Sequence, residues 1–362
     1  MTVATKAPPP VLWVYIGTYT GAKSQGIYRA RFDTETGHLG EPELAAETIN
    51  PIFLGLHPNG EILYATSHLG ADHTGRIEAY AIEPSGKLNL LDRQSSSGVC
   101  PCHLAVDSTG KCVLVANYLS GNVAAFPVQP DGRFGGPGGI VQHRGSGPHP
   151  CQTGPRAHFI SPDSENRFAL ACDLGADKVS VCRFDPARGL LEPNHPPGVA
   201  VKPGSGPRHL AFHPGGKRVY LINEIASTLV VFAYEPMSGI LKELQTLSTL
   251  PEPYSGINTC AHVLVHPSGR FVYGSNRGHN SITVFAMEAD SGELSLVGHH
   301  SSHGKSPRHF ALDPSGRWLL AENQDTDNIA VFRVDAGTGW LTATGQEVKV
   351  GSPVCVLFAA SH

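Results

Sequence analysis

The stretch His213-Pro-Gly-Gly-Lys-Arg-Val-Tyr-Leu-Ile222 shows the unit from which this chain is built: a tight turn ending in glycine, then an apolar strand. Similar turns recur at His57-Pro-Asn-Gly60, Asp107-Ser-Thr-Gly110, Ser161 to Asn166, His266-Pro-Ser-Gly269 and Asp313-Pro-Ser-Gly316. From Gly60 to Gly316 the chain runs 256 residues in five intervals, a mean of about 51 residues. A strand-rich repeat of about 40 to 50 residues is typical of a β-propeller blade with four strands.

The number of copies predicts seven blades in one closed ring. The strand after the turn occurs six times, and Trp13-Val-Tyr-Ile16 is a seventh copy that lacks a preceding strand. Conversely, Pro353-Val-Cys-Val-Leu-Phe358 is a lone copy of that missing strand. We expect the C-terminal strand to pair with the N-terminal blade, because closure leaves no open sheet edge in the ring.

The predicted fold is therefore all-β, a seven-bladed β-propeller. Residues 11–362 are expected to form a single domain, and residues 1–10 a flexible N-terminal tail. Two separate β-sandwich domains would also contain short strands and turns. They would not produce one repeat that runs from end to end.

Composition excludes several classes of protein. The 362 residues include 41 Gly and 29 Pro, which disfavours a coiled coil or helical array. A hydrophobic content of 40 % with a net charge of −4 disfavours a disordered chain. The chain has no clustered basic run and no apolar stretch of membrane-spanning length, so neither nucleic acid nor a membrane is an expected partner.

The eight cysteines favour reduced thiols in a cytoplasmic protein. Cys112, Cys172 and Cys182 lie within apolar strand patterns, and the N-terminus lacks the apolar core of a signal peptide. Cys100-Pro-Cys-His103 has the wrong spacing for a zinc knuckle and no second half, so no metal site is expected. No phosphate-binding loop or dinucleotide fingerprint is found, so no cofactor is expected. Whether the chain is a monomer or a weak dimer stays open.

Polar residues are expected to form a ring around one mouth of the channel. The start of the innermost strand and the end of the second strand lie at the same end of each blade. Aligning the seven blades places these residues at the start of the innermost strand: Phe53, His103, His158, His209, His262, His309 and Cys355. The corresponding ends of the second strand are Thr18, Ser67, Asn117, Asp173, Asn223, Asn276 and Asn323. Residues that recur in most blades are typical of structural hydrogen bonding, but their place at the mouth makes some of them candidate substrate-binding residues: His103, His209, His309, Asn223, Asn276 and Asn323.

Four charged residues at this mouth depart from the repeat, and we expect them to have a function rather than a structural role. Arg208, Arg277, Arg308 and Glu224 are not required by the blade pattern, and a charge near a narrow channel is costly unless it is paired or used. Guanidinium groups match carboxylate and phosphate, so the arginines favour an anionic ligand. A glutamate among them is a candidate general base. A purely structural ion-pair network is the alternative.

The chain resembles the seven-bladed β-propeller lactonases, which include 6-phosphogluconolactonases and the fungal 3-carboxy-cis,cis-muconate cyclase. The motifs that carry the resemblance are Tyr15-Ile-Gly-Thr-Tyr-Thr20, Cys172-Asp-Leu-Gly-Ala-Asp-Lys178, Gly206-Pro-Arg-His-Leu-Ala-Phe-His-Pro214, Ile222-Asn-Glu224, Ser275-Asn-Arg-Gly-His-Asn-Ser281 and Pro307-Arg-His-Phe-Ala311. The resemblance implies four catalytic residues: His158, Arg208, Glu224 and Arg277. One departure concerns Pro155-Arg-Ala-His158, where Arg156 stands in place of a histidine found in many relatives.

The resulting hypothesis is metal-free hydrolysis of a small anionic lactone, with 6-phosphogluconolactone as the leading substrate. Glu224 would activate water, Arg277 or Arg208 would stabilise the oxyanion, and His158 would assist proton transfer to the leaving ring oxygen. Arg308 is assigned to the phosphate, and Arg156 joins the candidate substrate-binding residues. A carboxymuconate cycloisomerase and a non-enzymatic binding propeller are the two alternatives.

Overall fold

The computed structural model describes residues 9–69, 74–288 and 291–361. The described residues form 28 strands in seven four-stranded antiparallel sheets, together with one short 3-10 helix at Gln324–Thr326. Among these residues, no helix is both long and apolar enough to cross a membrane. Most of the tail predicted for residues 1–10 lies outside the described residues; Pro9 and Pro10 are described, and their carbonyl groups accept hydrogen bonds from Thr34.

The strands follow one another along the chain in blade order. Blade 1 begins with β1 (Val11–Thr18), β2 (Gly26–Asp33) and β3 (Glu43–Glu47). Blade 2 contains β4 (Leu54–Leu56), β5 (Ile62–Leu69), β6 (Thr74–Ile82) and β7 (Leu88–Val99). Blade 3 contains β8 (Pro101–Val106), β9 (Cys112–Asn117), β10 (Asn122–Pro127) and β11 (Gly139–Gln142). Blade 4 contains β12 (Ala157–Pro162), β13 (Phe168–Asp173), β14 (Lys178–Asp185) and β15 (Leu190–Ala200).

The remaining blades repeat the same plan. Blade 5 contains β16 (Pro207–Phe212), β17 (Arg218–Asn223), β18 (Thr228–Glu235) and β19 (Ile240–Ser248). Blade 6 contains β20 (Thr259–Val265), β21 (Phe271–Arg277), β22 (Ser281–Met287) and β23 (Leu294–Ser301). Blade 7 contains β24 (Pro307–Leu312), β25 (Trp318–Asn323), β26 (Asn328–Val334) and β27 (Leu341–Lys349). The last strand, β28 (Pro353–Ala360), returns to blade 1.

The predicted closure of the ring is confirmed. Strand β28 pairs with β1 in antiparallel register, from Leu12 opposite Ala360 to Gly17 opposite Cys355. It occupies the innermost position of blade 1, so the sheet order there is β28-β1-β2-β3. This pairing joins the two ends of the chain within one sheet and turns seven sheets into a closed ring.

The second strand of each blade is largely buried because a neighbouring blade covers each of its faces. All six residues of β9 and of β25 are buried. The core consists of apolar clusters between successive blades; the one between blades 7 and 1 joins Val14, Leu320 and Val356.

Three turn histidines of the repeat hold neighbouring blades together at the face opposite the mouth. The imidazoles of His57, His213 and His266 each contact the carbonyl oxygen of the turn glycine in the next blade, at 3.0 to 3.2 Å. These glycines have positive φ; Gly110, for example, lies at +72°. Part of the high histidine content of the chain is therefore structural.

We predict that the closing strand contributes directly to stability. Val356 is buried between blades 7 and 1, so Val356→Ala should lower the free energy of unfolding by about 2 kcal/mol, measured by urea denaturation. The matched control is Leu296→Ala on β23, where the side chain is half exposed and the change should stay within about 0.5 kcal/mol. Equal effects of the two substitutions would contradict a stabilising role for the closure.

Candidate active site

Three successive layers of side chains line the mouth of the channel. The outer layer contains the residue that follows the aligned polar position at or near the end of the second strand: Tyr19, His68, Tyr118, Leu174, Glu224, Arg277 and Gln324. The strand register then gives a middle layer of Ile52, Cys102, His158, Arg208, Ala261, Arg308 and Val354. Beneath it lies an inner layer of Phe53, His103, Phe159, His209, His262, His309 and Cys355.

The middle layer arises from a bulge in the innermost strand. In blade 5, Pro207 pairs with Asn223 and His209 pairs with Ile222, so Arg208 is the extra residue between two consecutive partners. The same irregularity occurs in blades 3, 4 and 7. A bulge redirects a side chain out of the normal alternation. It explains why adjacent residues of one strand, Arg208 and His209, both belong to the lining of the channel.

The register corrects the predicted position of His158. Ala157 pairs with Asp173 and Phe159 with Cys172, so His158 is the bulge residue of blade 4 and corresponds to Arg208. The prediction that five of seven inner residues are histidine was wrong, because Phe159 takes the fifth place. In blade 4, Ala157 takes the place that a proline holds in blades 3, 5 and 7, so the sequence pattern did not mark the register there. His158 therefore departs from the repeat, as the charged residues do.

An ion cluster joins blades 5 and 6 at the mouth. One carboxylate oxygen of Glu224, Oε2, lies 2.7 Å from Nε of Arg208 and 2.9 Å from a terminal nitrogen of Arg277. Arg277 also donates to the carbonyl oxygen of Cys260 at 2.9 Å, and Arg208 donates to that of Ala261. These backbone contacts orient both guanidinium groups around one carboxylate. The sequence predicted that Arg208, Glu224 and Arg277 lie together at the mouth, and the structure brings them into direct contact.

Burial and charge act in opposite directions on this cluster. Burial alone would raise the pKa of Glu224, but Arg277, Arg208 and Arg308 outweigh it and bring the pKa below its ordinary value. Burial, with Arg277 nearby, lowers the pKa of Arg208 to about 9, so its guanidinium remains charged at neutral pH. Burial and the neighbouring Arg208 hold the pKa of His158 well below the ordinary value, so this imidazole is neutral.

Arg308 lies in the middle layer without a carboxylate partner. Its guanidinium donates to the hydroxyl of Tyr19 at 3.1 Å and lies 5.4 Å from the centre of that ring. Within the described residues, no carboxylate approaches Arg308 to ion-pair distance. With three guanidinium groups and one carboxylate, this part of the mouth carries an excess of positive charge. A ligand that bears negative charge would compensate it.

The wall facing the ion cluster is aromatic and apolar. Tyr19 and Tyr118 pack against a cluster formed by Ile52, Cys102 and Val354. Arg156, at the rim, lies 5.7 Å from the centre of the Tyr118 ring and donates to backbone carbonyl groups. The ring of His158 meets Tyr118 edge-on at 5.4 Å. The mouth therefore presents an ionic half and an apolar half to a ligand.

The inner layer fills the channel below the mouth. His103 lies between Phe53 and Phe159, at centroid distances of 4.1 and 4.0 Å. His209 contacts His262 through their Nδ1 atoms at 2.9 Å. Burial holds the pKa of His103, His209 and His262 well below the ordinary value, so these imidazoles are neutral. Of the predicted substrate-binding histidines, His103 lies within the filled part of the channel. His209 and His309 border a small cavity above it.

The predicted substrate-binding asparagines have structural hydrogen bonds. Asn276 and Asn323 are fully buried, and their side-chain amides donate to the carbonyl oxygens of Thr249 and Ser302 at 3.0 and 2.8 Å. Asn223 donates to the hydroxyl of Thr228 at 3.0 Å. These bonds tie the end of the second strand to neighbouring segments of the chain. We therefore leave the three asparagines out of the proposed site.

Two residues of the site were not singled out from the sequence. Tyr19 and Tyr118 follow the second strand of blades 1 and 3, at the position of Glu224 in blade 5. The signal was present, since both residues stand in the same aligned column as Glu224. An aromatic residue at a strand end is so common in β-proteins that it did not stand out.

The comparisons with known proteins agree with this geometry. A sequence model of the family described as "Lactonase, 7-bladed beta-propeller" matches residues 13–358. A 6-phosphogluconolactonase of Bacillus subtilis is 40 % identical over 297 residues, which cover 82 % of this chain and 83 % of that protein. The solved structure of a periplasmic gluconolactonase from Pseudomonas aeruginosa has 34 % identity and a TM-score of 0.92, covering 97 % of this chain and 100 % of that one.

A further solved structure, of a putative 6-phosphogluconolactonase from Bacteroides fragilis, has 33 % identity and a TM-score of 0.90, and covers 98 % of this chain and 99 % of that one. The family match extends over almost the whole chain, and the identity to the Bacillus subtilis relative is high over most of it. The chain belongs to the seven-bladed β-propeller lactonase family.

Proposed function

We propose that the protein hydrolyses 6-phosphogluconolactone, the lactone of a phosphorylated sugar acid, at the mouth of the channel. The observation that carries the proposal is the carboxylate of Glu224 held between two guanidinium groups, beside a third, Arg308, that has no carboxylate partner among the described residues. The name of the Bacillus subtilis relative supports the choice of substrate. The same relatives favour hydrolysis over carboxymuconate cycloisomerisation.

In the proposed reaction, a water molecule attacks the carbonyl carbon of the lactone. Glu224 is ionised at neutral pH, so it can accept the proton that this water loses. The electron pair of the carbonyl group moves onto its oxygen, where Arg208 or Arg277 stabilises the negative charge. The bond between the carbonyl carbon and the ring oxygen then breaks. The ring oxygen takes up the proton that Glu224 accepted from the water, which regenerates the carboxylate, while the neutral imidazole of His158 assists by donating a hydrogen bond to this oxygen.

The two halves of the mouth suggest how the substrate is oriented. Arg308 is assigned to the phosphate, and Arg156 is placed at the rim, where it can add positive charge. The rings of Tyr19 and Tyr118 form an apolar wall against which the carbon-hydrogen face of a sugar ring can pack. A dianionic phosphate would balance the excess charge of the cluster.

We also propose that the protein resides in the cytoplasm. All eight cysteines are free thiols, and six of them are buried. Free thiols persist in a reducing compartment. The Pseudomonas aeruginosa neighbour is described as periplasmic, so fractionation of the native host with antibodies is the appropriate test.

We predict that Glu224→Gln lowers kcat by about 100-fold or more, because the amide cannot accept a proton from water. The measurement is steady-state hydrolysis of 6-phosphogluconolactone, corrected for spontaneous opening, with circular dichroism as a check of the fold. Glu243→Gln, an exposed glutamate on β19, is the matched control and should retain wild-type activity. Near wild-type turnover of Glu224→Gln would exclude this residue as the base.

A second prediction concerns the phosphate. Arg308→Gln should raise KM for 6-phosphogluconolactone by about 10-fold or more, since a charge-assisted contact is lost. The KM for unphosphorylated gluconolactone should change much less, because that substrate has no phosphate to bind. A parallel loss for both lactones would show that Arg308 does not recognise the phosphate.

The pH dependence of kcat/KM follows from the ion cluster, because this parameter reports the groups of the free enzyme. The pKa of Glu224 lies below the ordinary value of 4.5, so the carboxylate persists as the pH falls through the weakly acidic range. For unphosphorylated gluconolactone, which has no titrating phosphate, the acid limb of kcat/KM should therefore have its midpoint below pH 4.5 in the wild type. Arg277→Gln removes one stabilising charge and should shift this midpoint upward. An unchanged midpoint in the variant would indicate that another group titrates.

A further inference from the structure

A cavity of about 10 Å³ lies under the middle layer, where the mouth meets the filled channel. It is bordered by these residues: Arg208, Arg308, His209, His309, Cys102 and Val354. A space of this size accommodates one atom the size of a water oxygen. Its chemistry depends on which of the polar groups around it donate hydrogen bonds and which accept them.

The two arginines can only donate. Nε of Arg208 is engaged by Glu224, and one terminal nitrogen, Nη1, contacts both Ala261 and His209. The other terminal nitrogen, Nη2, has no hydrogen bond to the described residues. Because Nη1 donates to Nε2 of His209, Nδ1 of His209 carries the proton and donates to His262 at 2.9 Å. The lone pair of His209 is thus occupied and unavailable to the cavity.

The imidazole of His309 forms a hydrogen bond with a buried glutamate, Glu322. Oε2 of Glu322 lies 2.9 Å from Nδ1 of His309, and the side chain of Glu322 is completely inaccessible to solvent. The backbone N–H of Val356 points at the same Nδ1 from 3.4 Å. Between blades 4 and 3, the N–H of Ile160 points at Nδ1 of His103 in the same way, also at 3.4 Å. Both contacts indicate that Nδ1 is the accepting nitrogen of these imidazoles.

The state of Glu322 agrees with this assignment. Its second oxygen, Oε1, is buried and has no hydrogen-bond partner in the described part of the chain. A buried charged carboxylate with one unpaired oxygen is more costly than a neutral acid. Burial raises the pKa of Glu322. A protonated Glu322 would donate to Nδ1 of His309, and the imidazole would then carry its own proton on Nε2.

We propose that the cavity is the oxyanion site, in which Nη2 of Arg208 and the Nε2–H of His309 donate to the carbonyl oxygen of the lactone. In this assignment His309 is a catalytic residue, and Glu322 is the positioning residue that keeps the imidazole proton on Nε2. The inference rests on the proposed lactone hydrolysis and names the atoms that receive the developing negative charge. Donors fixed in a site without water stabilise that charge strongly.

An oxygen that only accepts hydrogen bonds suits this cavity better than water does. A water molecule must place its own two protons on acceptors. The arginines accept none, the lone pair of His209 is occupied, and His309 donates in this assignment. The Sγ of Cys102 faces carbonyl oxygens of neighbouring residues and is only a weak acceptor. A carbonyl oxygen has no protons to place and becomes a stronger acceptor as the water attacks. The cavity should therefore bind the negatively charged oxygen of the transition state more tightly than a water molecule. It should also bind that oxygen more tightly than the uncharged carbonyl oxygen of the substrate.

The first test compares substitutions of Glu322. Glu322→Leu removes the donor to His309 at similar volume and should lower kcat by about 10-fold or more with little change in KM. Glu322→Gln should recover most of this loss, because its amide N–H can donate to Nδ1. Glu78→Leu, which replaces a glutamate that is equally buried on β6 and bonded to Tyr80, is the matched control and should reduce stability without lowering kcat. A kcat of Glu322→Gln as low as that of Glu322→Leu would overturn the proposal, as would a wild-type kcat of Glu322→Leu.

The second test requires no substrate and so separates this inference from the proposed function. Nitrogen-15 NMR of the histidine-labelled protein reports which ring nitrogen of His309 carries the proton, and His309→Phe identifies its signals. Protonation on Nε2 alone is the expected result. Protonation on Nδ1 alone, or on both nitrogens, would overturn the proposal. If the expected tautomer were observed in a protein that hydrolyses no lactone, the proposed function would fail instead.

Discussion

Seven sheets packed around one axis leave a channel so narrow that nearly every inward side chain is buried. This constraint determines which residues the channel contains. Neutral imidazole and phenyl rings fill it because they combine apolar surface with hydrogen-bonding atoms that neighbouring rings and backbone groups can satisfy. A charged side chain is tolerated only where other charges or the mouth compensate it. Arg208 illustrates the rule, since its buried guanidinium meets a carboxylate, a carbonyl oxygen and an imidazole nitrogen.

The bulge in the innermost strand solves a related geometrical problem. A regular strand directs only alternate side chains to the axis, so it would offer one inward residue at each level of the channel. The extra residue places Arg208, Arg308 and His158 directly above the inner layer. The bulge thereby adds the middle layer of side chains at the mouth, and the strand pairing below it stays the same. In the proposed reaction, this middle layer and the outer layer supply the catalytic and substrate-binding groups.

Much of this architecture was predictable because the repeat is local. Each turn, its glycine and the following strand lie within about ten residues, so their spacing is visible along the chain. The missing strand in blade 1 and the additional one at the C-terminus predicted the closure for the same reason. The charged residues Arg208, Glu224 and Arg277 were recognised because they depart from that repeat. Strand register is not local, because it depends on pairing with the next strand, and for this reason the position of His158 was wrong by one residue.

One further residue, Glu322, departs from the repeat at a position next to the inner layer. The residue that precedes the aligned polar position near the end of the second strand is Gly17, Thr66, Ala116, Cys172, Ile222, Ser275 or Glu322 in the seven blades. Six of these are small or apolar, because the position lies inside the ring next to the inner layer. The other six blades form without a carboxyl group at this position, so the fold does not require one. In blade 7 the carboxyl group of Glu322 forms a hydrogen bond with His309. Because burial of such a group is costly without a partner, we place Glu322 with Arg208 and Glu224 among the residues of the proposed active site.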